Sequence, residues 1–186
     1  MAASSATELW DVLAREAGAE SSLWRETLLP VERQRREAVF SVLCEPTFAL
    51  GVETIYEGYL LHYGTSRLFA PPDDDTALLL GDYLYAHGLV RVAATGSTVA
   101  VRDLAELISL CSQAQADRAD GESAVWAATC ATLGDEALEG ARAALREVGD
   151  SAPLERLARA AAGDEAVDGA VAAHLLVSQQ AAANGR

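Results

Sequence analysis

The chain has 186 residues, 51% of them hydrophobic: enough length for one domain with a real core, and too apolar for a disordered chain. Its 28 acidic residues face 14 basic ones, all arginine, for a net charge of −14. That balance argues against a basic groove for nucleic acid and against an anionic membrane surface. The acidity reads either as a self-repelling surface or as a docking face for a basic partner. No apolar run reaches the roughly 18 residues that a bilayer span needs. The N-terminal MAASSATELW has no basic stretch followed by an apolar core, so a cytoplasmic location is expected.

In chain order, a first helix is expected over residues 5–17, with Ser5 or Thr7 as cap ahead of Glu8 and Asp11, and with Gly18 as its end. Residues 21–28 read as a short helix anchored by Trp24. Pro30 opens a helix over about 31–44, which carries Arg33, Arg35 and Arg36 and ends in the apolar Val39, Phe40, Val42 and Leu43.

The centre of the chain is a helix pair. Residues 47–69 predict one long helix, bent near Gly51, with Ile55, Tyr59 and Tyr63 recurring at every fourth position. Pro71 and Pro72 stop it. Asp73 or Asp74 then caps a second helix over 75–94, where Leu79, Tyr83, Ala86 and Val90 recur at steps of three and four. Both segments are apolar over most of their circumference, which predicts burial on several sides. Further helices are expected at 98–118, 122–133, 135–148, 152–162 and 164–182, with a frayed Asn184-Gly185-Arg186 end. No stretch alternates at strand period. The expected fold is therefore all-α, an antiparallel helical bundle forming a single domain over residues 1–186.

The candidate site residues are few. Asp73, Asp74 and Asp75 could hold Mg2+ as clustered carboxylates, but a helix N-terminus also favours acids without any ligand. Asp82 sits in the apolar run of residues 78–85, where an acid must be bonded or exposed; a link to a neighbouring helix or to an arginine such as Arg67 is one reading. His62, His87 and His174 have no second histidine at metal-ligand spacing, and no HExxH occurs. Cys44, Cys111 and Cys130 form no CxxC and read as buried small hydrophobes. No GxSxG, GxGxxG or Walker pattern occurs. Tyr56, Tyr59 and Tyr63 share one face, with Tyr83 and Tyr85 on the next helix; such a stripe is either core or the wall of an apolar tunnel.

At residues 77–86, ALLLGDYLYA, the chain resembles the trans-prenyl diphosphate synthase superfamily, with Gly81-Asp82-Tyr83 as the best local match. The helix before it, VETIYEGYLLH at residues 52–62, is similar to the family's acid- and histidine-bearing helix, and SQAQAD at 112–117 is loosely similar to a Gln/Asp-bearing one. The resemblance covers about residues 35–135 and implies a truncated isoprenoid-synthase-like core. Where the family carries its first aspartate-rich motif, this chain has Ser66-Arg67-Leu68-Phe69, and the family's lysine motifs have no counterpart in a lysine-free chain. By the resemblance, the protein is a non-catalytic subunit like the small subunit of heterodimeric heptaprenyl diphosphate synthases. It would pair with a catalytic subunit or with itself, hold no cofactor of its own, and meet Mg2+ only through that partner. Tyr56, Tyr59, Tyr63, Phe69 and Tyr83 would shape the chain-length tunnel, and Asp82 and His62 would be structural polar groups. The alternative is a helical protein–protein interaction or scaffold module without a small-molecule site. A third, an independent enzyme using Asp73–Asp75, would be a different class again.

Overall fold

The computed structural model describes the backbone of residues 2–183 and the side chains of residues 8–178. Its helices are α1 (Ala2–Glu20), α2 (Ser22–Thr27), α3 (Ala49–Tyr63), α4 (Asp74–Ala93), α5 (Thr98–Asp117), α6 (Glu122–Ala131), α7 (Glu139–Val148), α8 (Ala152–Ala162) and α9 (Asp164–Ala183). Among the described residues there is no strand, only one isolated antiparallel bridge between Leu28 and Phe69. No helix of the described residues is long and apolar enough to cross a membrane. The fold is all-α.

Helix α3 is the axis. Its residues from Gly51 to Leu61 are buried without a break. One side feeds a core of Phe40, Ile55, Tyr56, Tyr59, Leu104, Leu107 and Trp126, closed by α8 and α9 through Leu154, Ala158, Val167 and Ala170. The other side, with Leu61, meets a second core of Trp10, Leu13, Leu68, Phe69, Leu80 and Leu84, closed by α1 and α4.

Four glycines set the distance between α3 and α4. Gly51 and Gly58 lie two turns apart on α3, and Gly81 and Gly88 two turns apart on α4, so each pair shares one face. The helices run antiparallel, with Gly51 against Gly88 and Gly58 against Gly81. A Cβ on Gly88 would lie 2.9 Å from the Gly51 carbonyl oxygen and 2.5 Å from Ile55 Cγ1; one on Gly58 would lie 2.9 Å from the Gly81 oxygen. Only backbone can fill that seam.

The helix expected over 31–44 does not form. Two 3-10 turns, Val31–Arg33 and Ser41–Leu43, flank an irregular stretch at residues 34–40. Tertiary bonds override local propensity there: Arg35 N–H donates to the Arg67 carbonyl at 3.0 Å, and Val39 N–H to Glu53 Oε1 at 3.1 Å. The long helix of 47–69 is also shorter than expected. It ends at Tyr63, well before the prolines, and residues 64–73 are irregular. There Glu57 Oε1 accepts the N–H groups of Arg67 at 2.7 Å and Leu68 at 2.9 Å, so a side chain stands in for the helical carbonyls. Gly51 marks no bend; it lies in the first turn of α3, against α4.

Helix α4 matches its expected span, and Asp73 is its cap, accepting from Thr76 N–H at 2.7 Å. It is not buried on several sides, however: Leu78, Leu79, Ala86 and Val90 are exposed. Helix α1 runs through Gly18 to Glu20 and places Ser5 and Thr7 inside it rather than at its start; their side chains, like the expected Asn184–Arg186 end, lie outside the described residues.

Candidate functional site

The buried polar centre of the molecule is Arg67 with Glu53 and Glu57. Residues 53 and 57 stand one helical turn apart on α3, so both carboxylates leave the same face. Arg67 comes from the irregular stretch after α3, and is 1% exposed. Its Nη2 lies 2.8 Å from Glu53 Oε2, its Nε donates to Glu57 Oε2 at 2.9 Å, and its Nη1 donates to the Glu37 carbonyl at 2.7 Å. Glu53 Oε1 also accepts from Val39 and Ser41 N–H, and Glu57 Oε1 from the Ser66 hydroxyl. The guanidinium carbon sits 4.6 Å from the centre of the Trp10 ring and 4.8 Å from that of Tyr56. Burial works against the charge, but the two carboxylates outweigh it and hold Arg67 above the ordinary arginine range. The arginine link suggested for Asp82 is thus made instead by Glu53 and Glu57. The cue was available: two acids a turn apart inside an apolar run, with an arginine ten residues on.

The tyrosine stripe separates on folding. Tyr56 and Tyr59 are buried, with ring centres 5.9 Å apart. Tyr56 meets Trp126 edge-on at 5.0 Å, and Phe40 stacks on Trp126 at 5.4 Å. The Tyr56 hydroxyl lies 2.9 Å from His174 Nδ1, and the Tyr59 hydroxyl donates to Glu122 Oε2 at 3.0 Å. His174 projects from α9 into this cluster, and burial lowers its pKa to about 4, so the imidazole is neutral. Tyr63 lies at the rim and donates to Ser112 Oγ. Phe69 belongs to the second core, where Tyr83 packs alongside it, stacks on His87 at 5.3 Å and meets Trp24 at 6.0 Å. The five aromatics therefore fall on two different sides of the α3–α4 pair.

A second buried ion pair, Arg142 with Asp103, escaped the sequence reading. Arg142 Nη1 donates to Asp103 Oδ1 at 3.1 Å, while Gly134 N–H donates to Oδ2, which fastens α7 and the loop before it to α5. Asp82 lies on the outer side of α4 with its side chain 72% exposed; its Oδ1 is 3.2 Å from His62 Nε2. The His62 ring stacks on Tyr85 at 5.0 Å. Asp74 and Asp75 are exposed in the first turn of α4, beside the capping Asp73. The three cysteines are free, Cys111 and Cys130 fully buried. Among the described residues, no three His, Cys, Asp or Glu side chains gather in a group able to hold a metal.

The remaining feature is the outer face of α4. Its inner face is zipped to α3, yet its outer face carries Leu78, Leu79 and Val90 at 46%, 58% and 64% exposure. These folded features define an all-α protein organised on one glycine-zipped helix pair. Comparison with protein-family models, curated proteins and solved structures yields no match for this chain.

Proposed function

We propose that this chain is a helical subunit that works by assembling with a partner. Following the resemblance at Gly81-Asp82-Tyr83, the partner is a catalytic prenyl diphosphate synthase subunit, and this chain itself is non-catalytic. One observation carries the subunit reading: α4 is apolar on both faces, and the outer one, with Leu79 and Val90, is open to solvent. Exposed large apolar side chains along one helix face, here Leu78, Leu79 and Val90, are a mark of interaction sites. The interior polar groups have internal roles that fit the same reading, since Arg67, Glu53, Glu57 and His174 bond to one another or to neighbouring chain. The test is co-expression with the catalytic prenyl synthase of the same genome. Incorporation of isopentenyl diphosphate into an allylic primer with Mg2+ should need both chains, and a fully active catalytic subunit alone would refute the pairing.

The scaffold alternative has its own support. Tyr56 and Tyr59 fill the space between α3 and α6 with their own rings, and both hydroxyls are bonded internally. The two readings differ in one measurement. A chain-length role predicts that Tyr59→Ala shifts the product length made by the pair; a scaffold role predicts an unchanged product.

A further inference from the structure

The outer strip of α4 runs Asp75, Leu79, Asp82, Ala86, Val90, Ala93, at steps of three and four, so it is one continuous face. Between its ends the only charge is Asp82. His62 Nε2 holds one of its oxygens at 3.2 Å while most of the side chain stays in solvent. The exposed acids Asp73, Asp74 and Asp75 flank the N-terminal end of the strip. The nearby cations are already engaged: Arg91 and His87 both bond Glu16 Oε2, at 2.6 and 3.1 Å. The face is therefore apolar, with one oriented carboxylate in its middle and an acidic rim.

The strip is small: a 20-residue helix is about 30 Å long and about 10 Å across, so the outer face of α4 offers about 300 Å2. That is less than half of the roughly 800 Å2 that each partner gives to a standard interface, so charge, more than area, selects the occupant. Its charge argues against a second copy as occupant. A two-fold antiparallel pairing about the middle of the strip would leave the two Asp82 residues about 6 Å apart along the axis. It would also bring two acidic rims and two chains of net charge −14 together, and like charges across an interface are costly.

We propose that the outer face of α4 docks a different chain, one presenting an apolar helix with an arginine that reaches Asp82 and further basic residues opposite Asp73–Asp75. This rests on the subunit reading above and adds the partner's chemistry.

The test uses the full chain and the catalytic prenyl synthase of the same genome, with affinity measured by calorimetry and mass by sedimentation. Leu79→Asp, Val90→Asp and Asp82→Arg change exposed groups and should leave the melting temperature near that of the parent. Each should weaken the complex at least about 30-fold, the scale of an interface hot spot. Val148→Asp, exposed on α7, should leave it unchanged. A complex that persists at full affinity in all three strip variants overturns the α4 assignment and leaves the subunit reading standing. No complex with the parent chain overturns both. A parent chain that sediments alone as a dimer, and that Val90→Asp or Asp82→Arg splits, makes the occupant a second copy and overturns the inference.

Discussion

At the scale of single residues, His174 shows what burial does to a group the fold needs neutral. Its Nδ1 faces the Tyr56 hydroxyl at 2.9 Å inside a cluster of rings. Burial lowers its pKa from 6.5 to about 4. Between those two values the unfolded chain binds a proton that the folded chain refuses, so stability must fall as pH drops through that window and level off below it. The shift corresponds to about 3 kcal/mol. His174→Gln should be less stable near neutrality yet lose this part of the acid sensitivity. The check is urea unfolding at pH 7 and pH 4 for both proteins; comparing the two differences cancels the carboxylates they share. Equal pH dependence in both would mean that His174 is charged or exposed. Residues of this kind were only half legible in the sequence. Glu53 and Glu57 lie in the most apolar helix of the chain, where an acid demands a partner, yet the sequence pattern carries that helix on through Arg67. The fold bends the chain away after Tyr63, and the bend itself depends on Glu57 capturing the backbone of Arg67 and Leu68. A loop made by a side chain leaves no periodic trace.

At the scale of elements, periodicity located α3, α4 and α5, while alanine propensity located the C-terminal helices. The spans of α4 and α5 came out within one residue of expectation, because Asp73 and Ser97 cap them and an apolar face runs their whole length. Periodicity failed at residues 31–44, where an apolar run and a leading proline suggest a helix, and where Glu53 and Arg67 instead bond the backbone of an irregular segment. Glycine spacing carried a signal that apolar spacing did not. Gly51 and Gly58, and Gly81 and Gly88, are each two turns apart, and this pairing sets the α3–α4 distance. Gly88→Ala should destabilise by about 1–3 kcal/mol, since the new methyl meets the Gly51 carbonyl and the helices must part. Gly169, on the exposed side of α9, has nothing within 4 Å of a Cβ. Gly169→Ala should stabilise by about 0.5–1 kcal/mol through helix propensity alone. Thermal unfolding of the pair measures both. A neutral Gly88→Ala would show that the seam is looser than the backbone positions imply.

At the scale of the whole molecule, two hydrophobic cores share one helix, and Arg67 touches both. It stacks on Trp10 in the core under α1 and on Tyr56 in the core under α6 and α9, while its ion partners stand on α3 between them. That geometry makes Arg67 a mechanical link. Removing one member of a buried ion network leaves the others charged and unpaired, at a cost of about 3–5 kcal/mol. Arg67→Met keeps much of the volume and loses the charge, so it should lower stability by that amount. It should also uncouple the cores. In a Trp126→Phe background the remaining tryptophans, Trp10 and Trp24, report only the core beneath α1, while far-UV circular dichroism reports the helices throughout. With Arg67 in place the two signals should unfold at one denaturant midpoint, as a two-state domain does. With Arg67→Met the fluorescence midpoint should fall below the dichroism midpoint, because the core under α1 is the smaller and depends on residues 64–70 that Arg67 anchors. Midpoints that already differ with Arg67 present would mean the cores fold independently. Midpoints that stay together without it would assign the coupling to the glycine seam instead.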